Sequence, residues 1–233
     1  KENFYVFSRF FNCNTCTFPF GISSVLDGQQ YSYNGSTVRH YEENYCENLS
    51  IMDLKKILPT DGPPVEEVLK YVEKYKNEII VIKYGGNVFI DREIFDNFIK
   101  DLSVLNKLGL QVVVVHGGGP RIKRELSKQN IESKFIRGLR VTDEKIINVV
   151  ETVLIDFNED IVNSLKKMGS QAASLHIKKD NVIEIIPEQK ELGFVGIPNK
   201  INTETIFEKL KNNIIPIISP LGLGENKQTY NIN

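Results

Sequence analysis

Beyond Cys46 the chain holds no cysteine, so most of its length cannot lean on disulfides or on a thiolate-rich metal centre. Charge of one sign is missing too. The 29 Lys and Arg are matched by 30 Asp and Glu, and a net charge of −1 leaves neither a basic footprint for nucleic acid nor an acidic tail. No apolar run approaches the roughly 20 residues needed to span a bilayer, and the N-terminal stretch lacks the charged-then-apolar layout of a secretory signal. Internal repeats and low-complexity tracts are absent. These gaps argue against nucleic-acid and membrane partners. The cysteine distribution fits a reducing compartment and a cytoplasmic location; an organellar one would need the leader to be a transit peptide, against which its acidic residues and few arginines argue.

What is present is a 233-residue chain, 41% hydrophobic and 25% charged, enough for one large or two small domains with a sizeable core. Residues 1–57 do not resemble the rest. They are rich in Phe, Tyr, Asn, Ser and Thr without sustained periodicity, and are expected to be poorly ordered or to belong outside the main fold. Cys13 and Cys16 have the spacing of half a zinc site, but only Cys46 and His40 could complete it, so no metal site is expected. The segment 58–77 opens on the breaker Leu58-Pro59-Thr60-Asp61-Gly62-Pro63-Pro64. A helix is predicted over 65–76, with Pro64 at its first turn.

From residue 78 onward strands and helices alternate. Strands are predicted at 79–83, 111–115, 172–177, 182–186 and 214–219, and helices near 93–108, 120–129, 143–168 and 203–212. The long helix carries the stripe Ile146, Val150, Leu154, Phe157, Ile161, Leu165 and Met168, with Thr142 as expected N-cap and Gly169 as stop. This alternation predicts an α/β fold: a mostly parallel sheet with helices on both faces.

Two of the strands break abruptly into glycine. Ile79-Ile80-Val81-Ile82-Lys83 runs into Tyr84-Gly85-Gly86, and Val112-Val113-Val114-Val115-His116 runs into Gly117-Gly118-Gly119. Glycine there lets several backbone amides point at one anion, and ligands of open α/β sheets bind at strand carboxyl ends. Lys83 reads either as a solvated strand-end lysine or as a charge that stabilises a phosphoryl group in transfer. Pro120 starts a helix whose N-terminus adds partial positive charge. No Gly-Lys-Ser/Thr follows, which excludes a Walker loop, and GxGxxG spacing is absent, which excludes a dinucleotide fingerprint. His116 reads as structural, because a carboxylate nucleophile is already ionised and needs no base. In Arg137-Gly138-Leu139-Arg140-Val141-Thr142, one arginine could hold a substrate carboxylate bidentately, or both could be surface residues. Glu191-Leu192-Gly193-Phe194-Val195-Gly196 reads as a loop or short hairpin.

Taken in order, Lys83-Tyr84-Gly85-Gly86, His116-Gly117-Gly118-Gly119, Gly138-Leu139-Arg140-Val141-Thr142, Glu191-Leu192-Gly193-Phe194-Val195-Gly196 and Tyr230-Asn231-Ile232-Asn233 resemble the amino acid kinase family, in its acetylglutamate branch. The resemblance covers residues 78–233. It implies a three-layer αβα sandwich, incomplete at the C-terminus, and transfer of the γ-phosphoryl of ATP to the side-chain carboxylate of N-acetyl-L-glutamate, an early step of arginine biosynthesis. Carried onto this chain, it makes Lys83 the catalytic charge. The amides of Gly85, Gly86, Gly117 and Gly118 become phosphate and carboxylate donors. Arg140 becomes the ligand of the α-carboxylate, and Asn231 and Asn233 complete the substrate pocket. ATP with Mg²⁺ is the implied cofactor, and the full-length protein is implied to be a homo-oligomer. The family's pattern continues with Ala-Asp where this chain stops at Asn233, so residues 78–233 are read as the acetylglutamate-binding part, inactive by itself, with most nucleotide contacts further on. The alternatives are another kinase of the family acting on a related carboxylate, or a non-catalytic module binding acidic metabolites.

Overall fold

The computed structural model describes residues 4–8, 51–58, 60, 62–85 and 92–232. The zinc reading at Cys13, Cys16, Cys46 and His40, and the site assignments of Gly86 and Asn233, lie outside the described residues.

Five strands, β1 (Phe4–Ser8), β2 (Ile79–Tyr84), β3 (Gln111–His116), β6 (Ala172–Leu175) and β9 (Ile215–Ile218), form a sheet in the order β1-β2-β3-β9-β6. Every pairing in it is parallel. A parallel pair needs a crossover, and helices α3 (Arg92–Lys107), α5 (Glu144–Lys167) and α6 (Thr203–Lys211) stand in those crossovers. The strands are apolar on both faces because both faces are covered. Ile80, Tyr84, Val112, Val114, Ile215 and Ile217 pack toward α2 (Val65–Tyr75), α3 and the C-terminal half of α5. Ile79, Val113, Leu175 and Ile218 pack the other way, against α6 and a second sheet. Helix α4 (Gly119–Lys128) closes a third cluster on the N-terminal half of α5, through Ile122 and Leu126 against Ile147, Val150 and Leu154. The three-layer α/β architecture expected from the sequence is therefore present. Of the leader, Phe4–Ser8 lies beside β2, and the short helix α1 (Ile51–Ile57) brings Leu54 into the core beneath α2.

The second sheet is what periodicity did not reveal. It orders β11 (Thr229–Asn231), β10 (Leu221–Leu223), β7 (Ile183–Pro187) and β8 (Gly196–Ile201), with β7–β8 and β10–β11 antiparallel and β10–β7 parallel. Only β7 has a clear apolar run. β8 carries Pro198 and is exposed from Ile197 onward, as suits an edge strand. The stretch 191–196, expected as a loop or short hairpin, is a 3-10 turn over Lys190–Leu192 leading into β8. A small hairpin, β4 (Phe135–Ile136) with β5 (Leu139–Arg140), turns at Arg137-Gly138. The cap of α5 also differs from expectation. Asp143, not Thr142, accepts from the Ile146 amide at 2.9 Å. Thr142 is withdrawn because its hydroxyl donates to the Arg140 carbonyl and its backbone is paired to the 192–194 turn. Met168 falls just past α5 and is exposed, while the other stripe residues are buried.

Candidate functional site

The orientation of Lys83 follows from its neighbour. Tyr84 turns into the core, stacked 3.8 Å from Phe98 and tilted against Phe95 and Phe157, where burial pushes its phenol up to about 12. Side chains alternate along a strand, so Lys83 emerges on the opposite face, and it is exposed. Lys83 is in register with Val115 and Tyr84 with His116, which sets the lysine and the triple glycine at the carboxyl ends of adjacent strands. Its Cε lies 3.7 Å from where a Cβ on Gly85 would stand, so the aliphatic stem crosses the first glycine turn.

The three glycines after His116 do different things. The Gly117 amide donates to the Tyr84 carbonyl at 2.7 Å, extending the β2–β3 ladder. This commits an amide that the family resemblance made a phosphate donor. Gly118 is buried, and a Cβ there would fall 2.4 Å from Leu154 Cδ2, so its bareness admits helix α5. Around Gly119 the space is open. Among the described residues, the Gly118 and Gly119 amides have no carbonyl partner, and they head α4, whose N-terminus favours an anion.

His116 is buried at 1% exposure, edge-on to Phe157 at 5.0 Å, and desolvation pushes its imidazole down to about 4. It is neutral at neutral pH and reaches no solvent, as the structural reading of this residue expects. Nearby, Arg121 in the first turn of α4 lies 4.0 Å over the Phe157 ring and pairs with Asp160 at 2.8 Å.

A second group forms around Arg140. Its side chain is buried at 6% exposure, 4.8 Å over the Phe135 ring and bonded to the Ser133 hydroxyl; burial lowers its pKa. Arg140 lines a cavity of about 740 Å³ with Lys123, Ser127, Asn130, Glu132 and Phe135, and none of Lys83, Gly85, Gly117, Gly118 or Asn231 lines it. The link to Asn231 runs instead through the backbone. Thr142 donates to the Leu192 carbonyl at 2.9 Å and accepts from the Phe194 amide at 2.7 Å, and the Asn231 amide donates to the Phe194 carbonyl at 3.0 Å. Gly193 makes this possible, with φ of +70° and a missing Cβ that would stand 2.3 Å from the Thr142 carbonyl oxygen. Asn231 pairs with Leu221, just past the carboxyl end of β9, the strand beside β3. Asn231 is buried at 5% exposure.

Lys83 and the Gly118 and Gly119 amides thus lie at the carboxyl ends of β2 and β3, while Asn231 lies on β11, opposite the strand that follows β9, and is tied to the Arg140 segment through the 192–195 turn. Such an arrangement supplies an exposed positive charge and oriented donors, suited to an anionic group in transfer. Sequence reasoning missed Asn158, which is fully buried on α5 and reaches both His116 and β9; a lone amide within an apolar stripe was the available signal.

Comparison with known proteins bears on the family of the chain. The model of the amino acid kinase family matches residues 78–233. Acetylglutamate kinase of Pelagibacter ubique (strain HTCC1062) is 51% identical over 181 residues, covering 78% of this chain and 63% of that protein. Acetylglutamate kinase of Jannaschia sp. (strain CCS1) is 41% identical over 170 residues, covering 72% and 60%. The chain spans about three fifths of the length of these curated relatives. Among solved structures, N-acetylglutamate synthase from Neisseria gonorrhoeae, complexed with coenzyme A and N-acetyl-glutamate, superposes with a TM-score of 0.63 at 20% identity, over 72% of this chain and 39% of that one, a likeness of fold. With its matched residues, its sheet order and these relatives, the chain belongs to the amino acid kinase family.

Proposed function

We propose that this chain carries the acetylglutamate-binding part of a kinase that transfers the γ-phosphoryl of ATP to the side-chain carboxylate of N-acetyl-L-glutamate, in arginine biosynthesis. The carboxylate oxygen attacks the γ-phosphorus, N-acetyl-L-glutamate 5-phosphate forms, and ADP leaves. The observation that carries the reading is the hydrogen-bonded run from Arg140 through Thr142 and the 192–195 turn to Asn231, which pairs with Leu221 just past the carboxyl end of β9. It couples a carboxylate-binding arginine to an amide side chain suited to a second polar group of the same small substrate. The relatives named acetylglutamate kinase support this choice of substrate.

In this reading Arg140 binds the α-carboxylate and Asn231 orients the substrate. The free amides of Gly118 and Gly119 receive anionic oxygens, and Lys83 neutralises charge that builds on the phosphoryl group. The phosphates of ATP fit these donors. Among the described residues no three His, Cys, Asp or Glu side chains gather as metal ligands, so no step is assigned to Mg²⁺ here; it would come with the nucleotide phosphates.

The test is to express the complete gene product, supply ATP and N-acetylglutamate, and trap the acyl phosphate with hydroxylamine. Hydroxamate formed with N-acetylglutamate and not with aspartate or glutamate supports the proposal. Preference for aspartate or glutamate makes the protein another kinase of the family. Binding of N-acetylglutamate without turnover makes it a binding module.

A further inference from the structure

Gly117 has both of its peptide polar groups committed. Its N–H donates to the Tyr84 carbonyl, and its C=O lies 2.9 Å from His116 Nδ1. A carbonyl oxygen only accepts, so Nδ1 carries the ring proton and the neutral imidazole accepts at Nε2. That acceptor is met by Asn158 Nδ2 at 3.1 Å, and the same amide nitrogen donates its second hydrogen to the Ile217 carbonyl at 2.8 Å. Each hydrogen has one place to go. The chain from the Ile217 carbonyl through Asn158 and His116 to the Gly117 carbonyl therefore fixes a single tautomer. Neither side chain meets solvent, and burial keeps the imidazole uncharged at neutral pH.

This arrangement has a consequence for the next amide. The Gly117 carbonyl shares a peptide unit with the Gly118 N–H, and in a planar trans peptide the two point in opposite directions; the described residues contain no cis bond. His116 lies on the sheet face covered by α5, edge-on to Phe157, whereas Lys83 emerges on the other face. Drawing the carbonyl toward His116 turns the Gly118 N–H away from α5, toward the side of Lys83. We propose that His116 and Asn158 are positioning residues that aim the Gly118 amide at the transferring group, a role that rests on the phosphoryl-transfer reading above. Neither touches the substrate. Asn158 holds His116, and His116 holds the peptide.

Two measurements on the complete protein test this. In a long-range ¹H–¹⁵N spectrum with labelled histidine, His116 should show the neutral Nδ1–H tautomer at pH 7; an Nε2–H tautomer or a charged ring overturns the proposal. The second compares His116→Asn, which keeps a donor near the Nδ1 position, with His116→Gln, whose amide reaches the Nε2 position instead. The kcat of His116→Asn should fall about threefold and that of His116→Gln tenfold or more, with KM for both substrates little changed, because misaiming one donor costs rate and not affinity. Equal kcat in the two variants overturns the positioning role. A wild-type protein with the Nδ1 tautomer and no turnover refutes the kinase reading and with it the aimed role of the amide, while the hydrogen-bond chain stands on the spectrum alone.

Discussion

Gly193→Ala should be among the most damaging single-methyl additions in the chain, and its cost divides into two parts. The backbone there has φ of +70° and ψ of −125°, a conformation that costs a residue with a Cβ about 1–3 kcal/mol. The added carbon would also stand 2.3 Å from the Thr142 carbonyl oxygen and 3.1 Å from its carbon, both backbone atoms that cannot swing aside. Relief requires pushing the Thr142 segment away from the turn. That stretches the Thr142-to-Leu192 and Phe194-to-Thr142 hydrogen bonds, each worth about 1 kcal/mol net. The sum is about 3–5 kcal/mol. Gly138→Ala is the matched control, because its φ of +84° carries the strain while no atom lies within 4 Å of the new Cβ; about 1–2 kcal/mol is expected there. Urea unfolding of both variants, read as a shift in midpoint at constant slope, separates clash from strain. Kinetics adds a second readout. Gly193 couples the strand of Arg140 to that of Asn231, so KM for N-acetylglutamate should rise in Gly193→Ala while KM for ATP holds. If Gly193→Ala proves no more destabilising than Gly138→Ala, the close packing of the 192–195 turn on Thr142 is refuted.

Lys83→Ala should lower kcat by roughly 10²–10³, the loss typical of one electrostatic contact made mainly in the transition state, and wild-type kcat in steady-state assay would remove Lys83 from the mechanism. Arg140→Lys keeps a charge but loses the planar fork, so it should raise KM for N-acetylglutamate; a weakened affinity for ATP instead would move Arg140 to the nucleotide site. Gly118→Ala should cost about 1–3 kcal/mol by overpacking against Leu154, and adding Leu154→Ala should reverse part of that loss in a double-mutant cycle; additive costs would mean the two residues do not meet. His116 titrates at about 4 when folded and near 6.5 when unfolded, so the unfolded chain binds more protons between those values. Its contribution is complete above about pH 6.5 and is lost as pH falls toward 4, about 3 kcal/mol in all, and His116→Asn should flatten this limb of a urea-midpoint profile measured from pH 4 to 7.

The sequence by itself determined what depends on near neighbours in the chain. The continuous apolar runs 79–82 and 112–115 dictated strands covered on both faces, and the stripe from Ile146 to Leu165, recurring every 3.6 residues, dictated a long helix buried along one side. Alternation also settled which way Lys83 faces, once Tyr84 was large and apolar enough to be buried. Tertiary structure decided the rest. Whether Thr142 or Asp143 caps α5 depended on the 192–194 turn reaching Thr142 first. Which glycine amide stays free depended on Tyr84 claiming Gly117 and on Leu154 filling the space beside Gly118. The second sheet was hidden because its strands are short, at the edge or half exposed, and because the β10–β7 pairing that joins its two hairpins spans distant parts of the chain. Asn158 and His116 sit 42 residues apart, and no local periodicity records that an amide in one helix will meet an imidazole at the end of one strand while bonding the carbonyl of another.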